Sequence, residues 1–188
     1  MDNVVAIVGT DTGIGKTVVT SLIQKYLYME SINVITQKWI QSGDLNKPDI
    51  EIHDSLIDNR NLEKLKEYRQ VYSFKHACSP HLASQIQGVD IKFSKIKKSL
   101  DFLKRTFDYV CIEGSGGLCV PINKDRLIID YIKQLSIPVI LVIGNRLGGI
   151  NHALLSIDML QKHSIPILGT VINHPKKDKE EYILRDNI

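Results

Sequence analysis

The sequence predicts an open, mostly parallel, twisted α/β sheet with helices on both faces. Two observations carry that expectation: continuous apolar runs of strand length, and stretches of helical periodicity that alternate with them. A third agrees with both. Polar or glycine-rich segments follow the ends of the apolar runs, where open parallel sheets bind their ligands.

The first run, Val4 to Val8, closes at Gly9 and suits a strand buried on both faces. Val18, Val19, Leu22, Ile23, Tyr26 and Leu27 then recur at helical spacing, which predicts a helix from Lys16 to Met29. Val34 to Ile35 starts a second strand that reads on to Lys38 and Trp39. Asp49 to Asp58 is expected to be a short helix, and Ser79-Pro80-His81 another helix start, with Ser79 as N-cap. Ile96, Leu100, Leu103 and Phe107 give one apolar face to a helix from Lys92 to Arg105. The next strand, Tyr109 to Ile112, ends at Glu113 and a glycine turn. Leu127 to Leu135 reads as a helix and Pro138 to Ile143 as a strand. A helix opening at Gly148-Gly149 and a last strand from Ile165 to Ile172, ending at Asn173, complete the pattern. Such alternation means parallel crossovers.

At 188 residues the chain has room for one well-packed domain, taken as 1–188. Its formal charge of +3 is small and no basic arm stands out, so nucleic acid is not the expected partner. Three cysteines, Cys78, Cys111 and Cys119, lack metal-type spacing. No basic-then-apolar leader and no apolar run of membrane-spanning length is present, so a cytoplasmic protein without a membrane association is expected.

Gly9-Thr10-Asp11-Thr12-Gly13-Ile14-Gly15-Lys16-Thr17 carries the chemistry. It lies between a buried strand and a helix, the context in which backbone N–H groups and a helix N-terminus cradle phosphate. The fold expected is therefore of the P-loop nucleoside triphosphate hydrolase type. Lys16 supplies charge to the β- and γ-phosphates of ATP, and Thr17 a hydroxyl to Mg²⁺. The usual spacing asks for glycine where Thr10 stands; the glycine comes one residue earlier, at Gly9. Glu113, at a strand end before Gly114-Ser115-Gly116-Gly117, is placed to reach the same Mg²⁺. Lys38, followed by Gln41-Ser42-Gly43, reads either as a surface lysine or as part of a polar binding loop. Asp49 and Asp54 are both candidate second metal carboxylates, and spacing does not separate them.

Together these segments resemble the dethiobiotin synthetase family. The enlarged phosphate loop, Lys38 with Ser42-Gly43, Ser79-Pro80-His81, Glu113 to Gly117 and Leu147-Gly148-Gly149-Ile150-Asn151-His152 match its blocks in order. The resemblance implies that 7,8-diaminopelargonate takes up CO₂ as a carbamate, that ATP phosphorylates the carbamate, and that the second amine closes a cyclic urea. It assigns catalysis to Lys38 and Lys16, and Mg²⁺ to Thr17, Asp54 and Glu113. ATP would contact Thr12 to Val18, Asp54, Glu113, Gly114, Ser115, Gly116 and Asn173. The substrate would meet Thr12, Lys38 and Ser42, with Gly148, Gly149, Ile150 and Asn151 contributed across a homodimer. Trp39 stands where the family usually has proline, and the chain stops at Ile188 where members normally continue through another helix and strand. Two other readings compete: a switch or partitioning-type ATPase, which would want a second lysine early in the phosphate loop, and a catalytically silent paralogue.

Overall fold

The computed structural model describes residues 3–43, 45–57 and 60–174. Its six strands among the described residues are β1 (Val4–Gly9), β2 (Val34–Ser42), β3 (Gln70–Phe74), β4 (Tyr109–Glu113), β5 (Val139–Gly144) and β6 (Ile167–Asn173). They form one sheet in the order β3-β2-β4-β1-β5-β6, every neighbouring pair parallel. The open parallel sheet read from the apolar runs is the observed fold.

Helices cover both faces: α1 (Lys16–Met29), α2 (Asp49–Asp54), α3 (Lys66–Arg69), α4 (Pro80–Gln87), α5 (Phe93–Thr106), α6 (Ile128–Gln134) and α7 (Gly149–Lys162). A 3₁₀ turn at Arg60–Leu65 leads into α3. Alternation along β1 divides the core. Val4, Ala6 and Val8 face a large cluster with Trp39, Ile96, Leu103 and Ile129, while Val5 and Ile7 face a smaller one with Ile14 and Val19 under α1. No helix among the described residues is long and apolar enough to cross a membrane.

Helix α3 and strand β3 have no counterpart in the sequence reading, and two expected elements differ in extent. Strand β2 does not stop at Trp39 but runs to Ser42, because β3 pairs with it from Lys38 to Ser42. The short helix expected over Asp49 to Asp58 ends at Asp54, and Asp58 lies outside the described residues. Ser79 does stand at an N-cap position with extended backbone and Pro80 follows as the first helical residue. Its hydroxyl, however, makes no cap bond and meets His81 Nδ1 at 3.0 Å instead.

Candidate active site

Strand pairing brings the first two charged groups together. Lys38 and Glu113 are register partners on the adjacent parallel strands β2 and β4, so their side chains leave the sheet side by side on one face. Lys38 Nζ lies 2.7 Å from Glu113 Oε1 and also donates to the Gly114 carbonyl at 3.3 Å. Both side chains are almost fully buried.

The phosphate loop joins β1 to α1 across the same edge. Gly13 and Gly15 have φ of 71° and 94°, which side chains rarely tolerate. At Gly15 a Cβ would also strike the Asn173 amide. Helix α1 opens without a side-chain cap or an acidic residue in its first turn, so its N–H groups remain available to an anion. Lys16 Nζ donates to the Asp11 carbonyl at 2.7 Å, and Thr17 Oγ1 donates to Glu113 Oε1 at 3.1 Å. Asp11 also pairs with Arg146, tying this loop to the one before α7.

Helix α2 supplies the third side. Asp49 Oδ2 is 2.7 Å from Lys38 Nζ, and the Gln41 amide oxygen accepts the Asp49 N–H, holding the helix start to the end of β2. His53, one turn later on the same face, places Nε2 2.6 Å from Glu113 Oε2.

These groups surround a cavity of about 550 Å³. Thr12, Gly13, Gly15, Lys16 and Thr17 line it from the phosphate loop, and Lys38, Ser42 and Asp49 from the β2 side. Glu113, Ser115 and Gly116 close it from β4, and Cys78, Ser79 and Pro80 from the start of α4.

Burial lowers the Lys16 pKa to about 8, with the Lys38 charge adding to the effect. For Lys38 burial acts the same way, but Glu113 and Asp49 outweigh it and hold the ammonium above its ordinary value. Burial would raise the Glu113 carboxyl; Lys38 and the His53 hydrogen bond bring it down to about 2. Two carboxylates and a hydroxyl suit a small hard cation completed by phosphate oxygens. Among the described residues no three His, Cys, Asp or Glu side chains form an all-protein metal cage.

Comparison with known proteins decides the family. A family model described as an AAA domain matches residues 3–187. The ATP-dependent dethiobiotin synthetase BioD 2 of Haemophilus ducreyi is 37% identical over 188 residues, covering 96% of this chain and 87% of the relative. That of Haemophilus influenzae is 38% identical over 186 residues, covering 95% of each. The chain belongs to the dethiobiotin synthetase family. A ParA family ATPase from Chlorobium tepidum, 13% identical, superposes with a TM-score of 0.57 over 96% of this chain and 77% of that one. That likeness shows the shared fold.

The resemblance expects Asp54 at the metal, but the structure turns it towards Arg69. Asp54 does not reach the cavity. The Arg69 guanidinium takes both its oxygens, at 2.5 and 2.7 Å, while also donating to Thr36. At about 100° per residue, Asp49 and Asp54 lie roughly 140° apart around α2, so only one can face Glu113. That one is Asp49.

Other expected contacts do not line this cavity. Ile14 is buried beneath β1, and its carbonyl accepts the Asn173 amide at 2.7 Å, so Asn173 braces the phosphate loop. Val18 points outward on α1. Gly148, Ile150 and Asn151 are exposed at the start of α7, away from this cavity. The sequence alone does not single out His53 or Arg69. The signal for His53 was its place four residues after Asp49; for Arg69 there was none, since its partner lies across the fold.

The tryptophan in place of proline is accommodated by the core. Trp39 is buried, donates Nε1–H to Gln37 Oε1 at 3.0 Å, and packs 6.5 Å from the Tyr131 ring. It points to the opposite face from Lys38 and stiffens β2 by packing.

Proposed function

We propose that this chain makes dethiobiotin from 7,8-diaminopelargonate, CO₂ and ATP, closing the cyclic urea through a carbamate and a carbamic–phosphoric anhydride. The observation that carries this reading is the position of Lys38, a second buried ammonium facing the same cavity as Lys16 of the phosphate loop. Phosphoryl transfer to a carbamate gathers negative charge on both partners, and fixed cations there stabilise the transition state.

In this reading Lys16 and the N–H groups from Gly13 to Thr17 hold the transferring phosphoryl group, and Lys38 holds the carbamate. Thr17, Glu113 and Asp49 would hold Mg²⁺, which neutralises phosphate charge when bound. Thr12 and Ser42 orient the diamine. Ser115 is fixed by donating to the Ile40 carbonyl at 2.5 Å, which supports a precise wall opposite the phosphate loop.

A homodimer completes the site. Helix α7 begins at Gly148 without a side-chain cap or acidic first turn, leaving N–H groups to receive the tail carboxylate of substrate bound in the partner. Leu147, Ile150, Leu154 and Leu155 are exposed beside it and support association there. The reaction belongs in the cytoplasm, where ATP is supplied.

Purified protein given the diamine, bicarbonate, ATP and Mg²⁺ should form dethiobiotin and release phosphate only when the diamine is present. Lys38→Ala should cut turnover at least a hundredfold, roughly the effect of removing one electrostatic contact at a reacting centre, with ATP affinity nearly unchanged. Phosphate release indifferent to the diamine would point to the switch-type ATPase instead.

A further inference from the structure

We infer that His53 is a positioning residue that restricts Glu113 to one-oxygen coordination and so selects a small divalent cation. This rests on the proposed role of Glu113 as a metal carboxylate.

The two oxygens of Glu113 are divided between opposite sides. Oε1 faces the cavity and meets Lys38 at 2.7 Å and Thr17 at 3.1 Å. Oε2 is turned back towards α2, where His53 Nε2 holds it at 2.6 Å. His53 is completely buried, and its Nδ1 has no hydrogen-bond partner among the described residues. A buried imidazole nitrogen without a partner costs stability, and an aliphatic side chain would fill this space without that cost. The imidazole therefore contributes through its one bond, to the carboxylate.

That bond has a consequence for metal choice. Mg²⁺ demands near-octahedral geometry with single oxygens from its carboxylates, whereas the larger Ca²⁺ accepts a carboxylate through both oxygens. With Oε2 held by His53, Glu113 offers Oε1 alone, whose partners Lys38 and Thr17 are the groups that turn to the carbamate and the metal in the proposed reaction. Removing the tether frees the second and favours the larger ion. Asp49 lies on the same face of α2, so one short helix presents both a carboxylate and the group that orients its counterpart.

The test measures metal binding without turnover. Mn²⁺ affinity is read by paramagnetic resonance of the full chain with a non-hydrolysable ATP analogue, and Mg²⁺ and Ca²⁺ are then titrated as competitors. His53→Leu should weaken Mn²⁺ and Mg²⁺ about tenfold, the usual effect of losing a partner behind a metal ligand, and narrow the preference for Mg²⁺ over Ca²⁺. His53→Gln, whose amide can still donate, should recover most of both. Should the leucine variant not fold, His53→Asn replaces it, its amide being too short to reach; equal metal affinity in the Gln and Asn variants overturns the inference. Glu113→Gln serves as the reference. If it leaves metal affinity unchanged, the role of Glu113 fails and this inference with it. If it weakens binding while His53→Leu matches the unaltered protein, or while Leu and Gln lose equally, the inference alone is overturned.

Discussion

Lys16 and Lys38 share one cavity, yet their pKa values move in opposite directions from the ordinary lysine value. Lys38 has two carboxylates within 2.7 Å. Lys16 has a carbonyl and no ion pair among the described residues, so burial brings it down to about 8. The sign of the linkage follows. Between about 8 and 10.5 the unfolded chain keeps the Lys16 proton and the folded one releases it, so this group makes the nucleotide-free protein more stable as pH rises through that window. A bound triphosphate favours the charged form instead. ATP binding just above pH 8 should therefore take up a proton, and affinity should fall as pH rises further. Calorimetry in buffers of different ionisation enthalpy measures the uptake; heat independent of buffer, with flat affinity, would contradict the assignment.

At the scale of the element, α2 shows how much depends on the rotation of six residues. Asp49 turns towards Lys38, and Asp54 turns away to Arg69, which is fully buried. Asp54→Ala should destabilise the fold by about 3 kcal/mol, the lower end for a broken buried pair because Asp54 is a quarter exposed, and leave the Mg²⁺ requirement unchanged. Asp49→Ala should chiefly raise the Mg²⁺ concentration needed for half-maximal turnover, with a smaller loss of stability than Asp54→Ala because Lys38 keeps Glu113 as a partner. Denaturant titration and Mg²⁺ titration of the two variants separate these outcomes. The same helix marks where sequence reading stopped. Glu113 and the phosphate loop are legible because each lies at the end of a strand whose apolar run announces it, whereas Lys38, inside β2, is open to two readings until the family resemblance assigns it a role. Nothing in a six-residue helix announces which face it buries, and the Arg69 that decides the matter comes fifteen residues later. Strand β3 escaped for a related reason. It is a short edge strand, Gln70–Phe74, whose apolar residues are broken by Ser73, and it follows Lys66–Arg69 with no glycine or proline between them.

For the whole molecule, the sheet's two sides are unequal. The α1 side carries the smaller core and α7 packs on the larger one through Leu160; α1 shows Leu22 and Tyr26 to solvent, and α7 shows Ile150 and Leu154. Light scattering should give twice the chain mass, and Leu154→Asp should return it to a monomer with its folding stability within about 0.5 kcal/mol, since the position is exposed in one copy. A monomer before substitution would remove the proposed shared site. The sheet also acts as a ruler. Lys38 faces Glu113 because β2 and β4 are paired in one register. Inserting a single residue into β2 ahead of Lys38 would reverse every side chain beyond it, swinging Trp39 towards the cavity and Lys38 into the apolar core on the far side. Changes of chain length are thus confined to the loops, and among homologues β2 and β4 should vary in composition while keeping their spacing.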